Sequence, residues 1–191
     1  MEARAEKKRT QKKRTPYQEY LDMPDGVRCE LINGKIVMLD SPSPTHEEIC
    51  TNVIGLLWHY LKGKKCQVYH GVGVRFREKE PINHALEPDI VVVCNPAMIH
   101  KEGIVGAPDF IIEVLSPSNT RNDTVWKLNL YQAEGVREYW IVNPEQRTVH
   151  TFILENGRYG IIAYDADERI PVSVLDNFEI DMSRVFPAAE A

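Results

Sequence analysis

No stretch of this 191-residue chain approaches the roughly 18 to 20 consecutive apolar residues of a membrane span. The N-terminus lacks the apolar core of a secretory signal, so the expected compartment is the cytoplasm and no membrane partner is expected. Cysteine is scarce too. Cys29, Cys50, Cys66 and Cys94 form no C-x-x-C pair and do not cluster with histidine. That spacing argues against a structural zinc site and for reduced, mostly buried thiols. Internal repeats and domain-splitting linkers are also missing. What remains, 43% hydrophobic and 27% charged residues, is ordinary for one globular domain with short tails.

A basic surplus is lacking overall, since the formal net charge is -5. The sign is not evenly spread. Residues 1–14 carry seven basic side chains against two glutamates, so this end is net +5 and the rest about -10. Without apolar periodicity the segment reads as a disordered tail, able to add weak, salt-sensitive contacts to phosphate. The body offers no clear basic groove.

The remainder alternates short strands with two longer helical patterns. Thr15-Pro16 starts a short helix, the threonine as N-cap and the proline at the first helical position. Val27 to Ile32 and Lys35 to Leu39 flank Asn33-Gly34, a strong hairpin signal. Thr45 to Glu48 has the spacing of a capping box, and Ile49, Val53, Leu56, Leu57, Tyr60 and Leu61 follow at helical intervals up to Gly63. Strands are expected at Cys66 to His70, Gly71 to Arg77, Ile90 to Val93, Phe110 to Leu115 and Val136 to Val142. Asn95 to Ala107 reads as loop. Asn122-Asp123 is placed to cap a second helix ending at Gly135. Arg147 to Leu154 and Tyr159 to Tyr164, joined by Asn156-Gly157, form a second hairpin, and residues 165–187 add a last short strand or two.

One residue is out of keeping with its surroundings. Glu113 lies in the apolar strand Phe110 to Leu115, where a carboxylate is costly unless it is paired or binds a metal. Asp89 stands at the threshold of Ile90 to Val93. If those strands pair antiparallel, the two carboxylates are opposed about 5 Å apart at Cβ and can share a divalent ion. Asp109 fails as the partner, because four residues along a strand span roughly 13 Å. Hard oxygen ligands with room for water favour Mg2+ or Mn2+. A lysine is missing two residues beyond Glu113, where Leu115 stands. The nearest cation is Lys127, on the following helix, where it shares a face with Tyr131 and Glu134. Tyr139-Trp140 reads as sheet packing.

In order, the chain contains Glu30-Leu31-Ile32-Asn33-Gly34-Lys35-Ile36, Ser43-Pro44-Thr45-His46, Glu87-Pro88-Asp89, and Gly106-Ala107-Pro108-Asp109 running on to Glu113-Val114-Leu115-Ser116-Pro117-Ser118. Lys127, Tyr131, Gly135 to Trp140 and Ile141-Val142-Asn143-Pro144 complete the series. In that order and spacing it resembles the Uma-two family of restriction endonucleases, within the PD-(D/E)XK nuclease superfamily. The resemblance implies an α/β (α+β), restriction-endonuclease-like fold: a central mixed β-sheet flanked by helices, with N-terminal and C-terminal β-hairpins, over residues 15–187. It implies Asp89 and Glu113 as metal ligands, with the Val114 carbonyl a further candidate. Lys127 would be a lysine migrated from the strand to the helix, Glu30 an additional acid, and His46 a neighbour of the site.

The function expected on this basis is metal-dependent hydrolysis of phosphodiester bonds, in DNA before other nucleic acids. A homodimer would suit the cutting of two strands. The acidic body and Leu115 support a rival, a nuclease-fold module that binds nucleic acid or protein without cutting. A carboxylate-pair hydrolase acting on sugars fits the spacing of acids but finds no carbohydrate platform.

Overall fold

A computed structural model describes residues 14–116 and 121–188. The basic tail, except for Arg14, and the Pro117 to Thr120 turn lie outside the described residues, as do the side chains of Asn122 and Asp123. The chain runs α1 (Pro16–Leu21), β1 (Cys29–Ile32), β2 (Lys35–Met38), α2 (Pro44–Leu61), β3 (Gln67–His70), β4 (Val74–Arg75) and β5 (Ile90–Val93). Next come β6 (Ile99–His100), β7 (Gly103–Val105), β8 (Phe110–Val114), α3 (Arg121–Glu134) and β9 (Glu138–Asn143). The chain closes with β10 (Thr148–Glu155), β11 (Arg158–Asp165), β12 (Arg169–Pro171) and β13 (Glu179–Asp181).

Six strands form the central sheet in the order β11-β10-β9-β8-β5-β3. Only β8 and β9 run parallel, because α3 carries the chain back between them. The other neighbours are antiparallel, so the sheet is mixed as expected. Both faces are covered. Along β5, Ile90 and Val92 join the cluster built on Ile49, Val53 and Leu57 of α2. Val91 and Val93 join the opposite cluster, built on Tyr131 of α3 with Val136 and Tyr139. The same alternation sends Phe110, Ile112 and Val114 of β8 towards α2, and Ile111 towards α3. Continuous apolar runs with period-two burial are the mark of such a two-sided sheet. Trp140 and Tyr139 are fully buried, one on each face.

The N-terminal hairpin is a separate two-stranded sheet, turned by Asn33 (φ 50) and Gly34 (φ 71). It is docked by an isolated bridge from Leu31 to Ala85. The C-terminal hairpin is no appendage: β10 and β11 extend the central sheet itself. Thr15 caps α1 as its sequence indicates, accepting a hydrogen bond from Gln18 N.

Several expectations shift. Helix α2 is capped by Ser43, whose hydroxyl accepts from His46 N, and not by Thr45. Ser43-Pro44 repeats the logic of Thr15-Pro16, with proline supplying the first helical residue and no wasted N–H. Helix α3 starts at Arg121, so Asn122 and Asp123 fall inside it. The Asn95 to Ala107 segment contains a 3-10 turn and strands β6 and β7, which form a small sheet with β4.

The thiols divide into two pairs. Cys29 and Cys50 are free and buried, but Cys66 and Cys94 form a disulfide, against the expectation of four reduced cysteines. The cause is register. Gln67 pairs with Val93 in the antiparallel β3–β5 ladder, so one step further out Cys66 faces Cys94. Among the described residues no helix is long and apolar enough to cross a membrane.

Candidate active site

The β5–β8 ladder pairs Ile90 with Ile112, and one step beyond it Asp89 stands across from Glu113. Both acids are anchored. Asp89 Oδ2 accepts a hydrogen bond from Val114 N at 2.8 Å and lies 3.2 Å from His46 Nε2. Glu113 points to the α3 side of the sheet, where its Oε1 accepts from Lys127 Nζ at 2.9 Å and from Tyr131 OH at 2.7 Å. Lys127 and Tyr131 are four residues apart, one turn of α3, which is why both reach the same oxygen.

The second partner of Lys127 comes from the N-terminal hairpin. Its Nζ lies 3.0 Å from Glu30 Oε1, which also accepts from Glu87 N at 3.0 Å. Glu30 is buried in β1, with both donors on the same carboxylate oxygen. His46 sits in the first turn of α2, with Nδ1 3.3 Å from Glu47 and 3.8 Å from Cys50 Sγ. His70 reaches the Asp89 carbonyl oxygen through Nδ1 at 2.6 Å. The five residues singled out in the sequence thus meet at one cleft of about 80 Å³, rimmed by Arg28, Asp40, Ser41 and Ser116.

Leu115 has the same side-chain parity as Glu113 and packs with the α3-side cluster. A lysine at that position would approach Glu113 from the face on which Lys127 already stands. Asp109 is occupied elsewhere, accepting from Cys94 N at 2.7 Å and pairing with Arg137 at 3.1 Å, so it takes no part in the cleft.

Two carboxylates, Glu30 and Glu113, flank one ammonium, with Asp89 nearby, and the electrostatics follow. Burial pushes the Glu113 carboxyl upward; the Lys127 charge opposes this, while Asp89 and Glu30 add to it. Burial disfavours the Lys127 ammonium, but Glu113 and Glu30 more than offset it and hold its pKa above the usual lysine range. His46 behaves likewise: burial lowers its pKa, yet the hydrogen bond to Asp89 and the nearby charges leave it raised. The cluster has more negative groups than its own cations balance. Such a set of hard oxygens suits a small divalent cation.

Two contributors were not singled out by sequence reasoning. Tyr131 appeared there on the helix face of Lys127 and in the series that carries the family resemblance, but without a role, and its hydroxyl contact with Glu113 requires the fold. Cys50 lies one turn after His46, and the ligand atoms of His46, Cys50 and Asp89 fall within 4.8 Å of one another. Burial raises the Cys50 thiol well above its ordinary range, which works against the thiolate a metal needs.

The Uma2 family model, described as putative restriction endonuclease, matches residues 17–183. The chain belongs to the Uma2 family. Among curated proteins, uncharacterized protein slr1290 of Synechocystis sp. is 24% identical over 170 residues, covering 86% of this chain and 88% of that protein. Among solved structures, a putative nuclease belonging to DUF820 from Anabaena variabilis superposes with a TM-score of 0.73 at 21% identity. The match covers 91% of this chain and 98% of that one, and it shows that this Uma2 chain shares the fold.

Proposed function

We propose that this chain is a divalent-metal-dependent endonuclease that hydrolyses phosphodiester bonds in DNA. The observation that carries the reading is the opposed pair Asp89 and Glu113, with Lys127 bound to the second of them at 2.9 Å. Asp89 and Glu113 would hold Mg2+ or Mn2+, with the carbonyl of Val114, the next residue along β8, a further candidate ligand. The ion would supply charge stabilisation to the five-coordinate phosphorus of the transition state and a lowered pKa to the attacking water.

The chain's own groups do the rest. Val114 N–H fixes one oxygen of Asp89, and Tyr131 and Lys127 fix one oxygen of Glu113, so both carboxylates are oriented before any ligand arrives. Lys127 stays charged and places a cation where the scissile phosphate gains negative charge. Glu30 keeps the lysine extended across the cleft. His46 braces Asp89 from the α2 side.

Plasmid DNA incubated with Mg2+ or Mn2+ tests the proposal. The wild-type protein should nick or linearise it, and Glu113→Gln and Lys127→Ala should each lose at least about 100-fold. Equal cleavage by all three proteins would discard this site. One observation favours a second reading: Lys127 is already neutralised by two carboxylates, as in a structural ion network. A nuclease-fold module that binds without cutting would show no cleavage, and its Mg2+ affinity would not change in Asp89→Asn.

A further inference from the structure

The two edges of the central sheet are treated differently. At one edge β3 is four residues long and clipped to β5 by the Cys66–Cys94 disulfide. At the other, β11 runs for eight residues, Arg158-Tyr-Gly-Ile-Ile-Ala-Tyr-Asp165, in unbroken register with β10. It contains no proline, no lysine and no bulge, the usual devices that keep an edge strand from pairing with another chain. Ile161 and Ile162, at its centre, are 61% and 52% exposed.

The backbone shows which groups are open. Asn156 (φ 50) and Gly157 (φ 78) form a two-residue turn of the mirror-image type. The residues flanking it, Glu155 and Arg158, then form the hydrogen-bonded pair, and alternate residues on β11 turn their N–H and C=O away from β10. These are Tyr159, Ile161, Ala163 and Asp165. The outermost two donors are already taken by side chains. Tyr159 N donates to Gln132 Oε1 at 2.8 Å, and Asp165 N donates to Glu168 Oε2 at 2.7 Å. Among the described residues, only the middle of the edge, at Ile161 and Ala163, is left with its outward N–H groups uncapped.

We infer that this open centre pairs with β11 of a second copy of the chain, antiparallel, about a twofold axis at Ile162. In that register Ile161 lies opposite Ala163 of the other copy, and every open donor meets an open acceptor. A register centred on Ile161 instead would set the open Ala163 opposite Tyr159, whose N–H is already committed to Gln132, and leave the Ala163 carbonyl without a donor. With the axis at Ile162, Tyr159 meets only Asp165, whose N–H is committed as well. Side chains agree with the choice. On one face the two Ile162 side chains meet at the axis, flanked by Tyr164 over Gly160. On the other face Ile161 packs beside Ala163. Charge selects the direction: the strand carries its cation, Arg158, at one end and its anion, Asp165, at the other. An antiparallel copy brings opposite signs together, whereas a parallel copy would stack like on like. The twofold closes the edge and leaves no β11 strand open for further chains, so the product is a dimer and not a fibre.

Sedimentation velocity of the full-length protein tests the inference. Wild type should sediment as a dimer, and Ile162→Lys, which sets two ammonium groups on the axis, should halve the sedimenting mass while the circular dichroism spectrum stays unchanged. Ile162→Cys gives an independent reading. Under mild oxidation it should yield a covalent dimer on a non-reducing gel, while wild type and Ile161→Cys, whose like residues sit off the axis, should not. A monomeric wild type, an Ile162→Lys protein that remains dimeric, or equal crosslinking by Ile161→Cys and Ile162→Cys would overturn it.

Discussion

The ammonium of Lys127 is held 2.9 Å from Glu113, on a helix that begins only after the strand carrying the glutamate has ended. The same nitrogen lies 3.0 Å from Glu30, so a single cation satisfies two largely buried carboxylates. Removing it should be felt first as instability. Lys127→Ala leaves Glu113 and Glu30 without their cation, with only the Tyr131 hydroxyl and the Glu87 N–H still donating to them, and the expected loss in urea denaturation is about 3 to 5 kcal/mol. A loss below about 1 kcal/mol would show that the network is solvated and adaptable.

The position of Leu115 allows a rescue. Its side chain shares a face of β8 with Glu113, so a lysine there approaches the same carboxylate from the strand. In the proposed mechanism, adding Leu115→Lys to Lys127→Ala should recover DNA cleavage to within about tenfold of wild type, the margin for one imperfectly placed charge. No recovery, with the double variant folded, would mean that the helix position itself is required.

Cation binding should register without any substrate. Mg2+ or Mn2+ at about 100 times its Kd is expected to stabilise the folded protein by about 2.7 kcal/mol, read as a rise in melting temperature. Chelation should reverse it, and Asp89→Asn should abolish most of the rise. An undiminished rise in Asp89→Asn would place the ion elsewhere.

Glu138 provides a pH dependence outside the cleft. Its carboxyl is fully buried, accepting from Trp140 Nε1 at 2.8 Å and Val174 N at 3.0 Å, and burial outweighs these donors to push its pKa up to about 7. A group raised in the folded state binds its proton more tightly there than in the unfolded chain. Its contribution is complete below the ordinary carboxylate range and is lost as pH rises to about 7. Relative to Glu138→Gln, which does not titrate, wild type should lose up to about 3 kcal/mol between pH 4.5 and 7.5. Parallel pH profiles of the two proteins would refute this.

Reduction supplies the last test. The Cys66–Cys94 bond closes a loop with a sequence separation of 28 residues. Opening it, by reductant or by Cys94→Ser, should lower stability by about 3 to 4 kcal/mol on the chain-entropy view. Identical urea midpoints with and without reductant would show that the bond contributes nothing measurable.

Much of the core arrangement was legible in the sequence because it rests on period and chemistry. The apolar runs at Ile90 and Phe110 indicated strands buried on both faces, and a lone glutamate in one of them indicated where polarity was being spent. Supposing those strands antiparallel was enough to oppose Asp89 and Glu113. Glu30 was different: no local pattern joins a hairpin residue to a helix lysine 97 positions later, and only the family resemblance brought it in. The disulfide was missed for a related reason. Cys66 and Cys94 look unremarkable until the register of β3 on β5 is known, and then they are direct neighbours. The cap of α2 was misplaced because Thr45 to Glu48 matches the capping-box pattern, while Ser43-Pro44 starts the helix two residues earlier.

The contacts of the cleft differ widely in how far apart their partners lie along the chain. Glu113 and Lys127 are separated by 14 residues and belong to one strand–helix–strand unit, whereas the bond from Lys127 to Glu30 spans 97. Closing the longer loop costs more chain entropy, and non-local pairings are rewarded late in folding. The glutamate–lysine half of the site can therefore form with its own local unit, and the N-terminal hairpin completes it on docking. Substitutions at Glu30 should then act on the unfolding rate, and those at the β8–α3 junction on the folding rate. The order in which the chain assembles is written into which acid the lysine meets first.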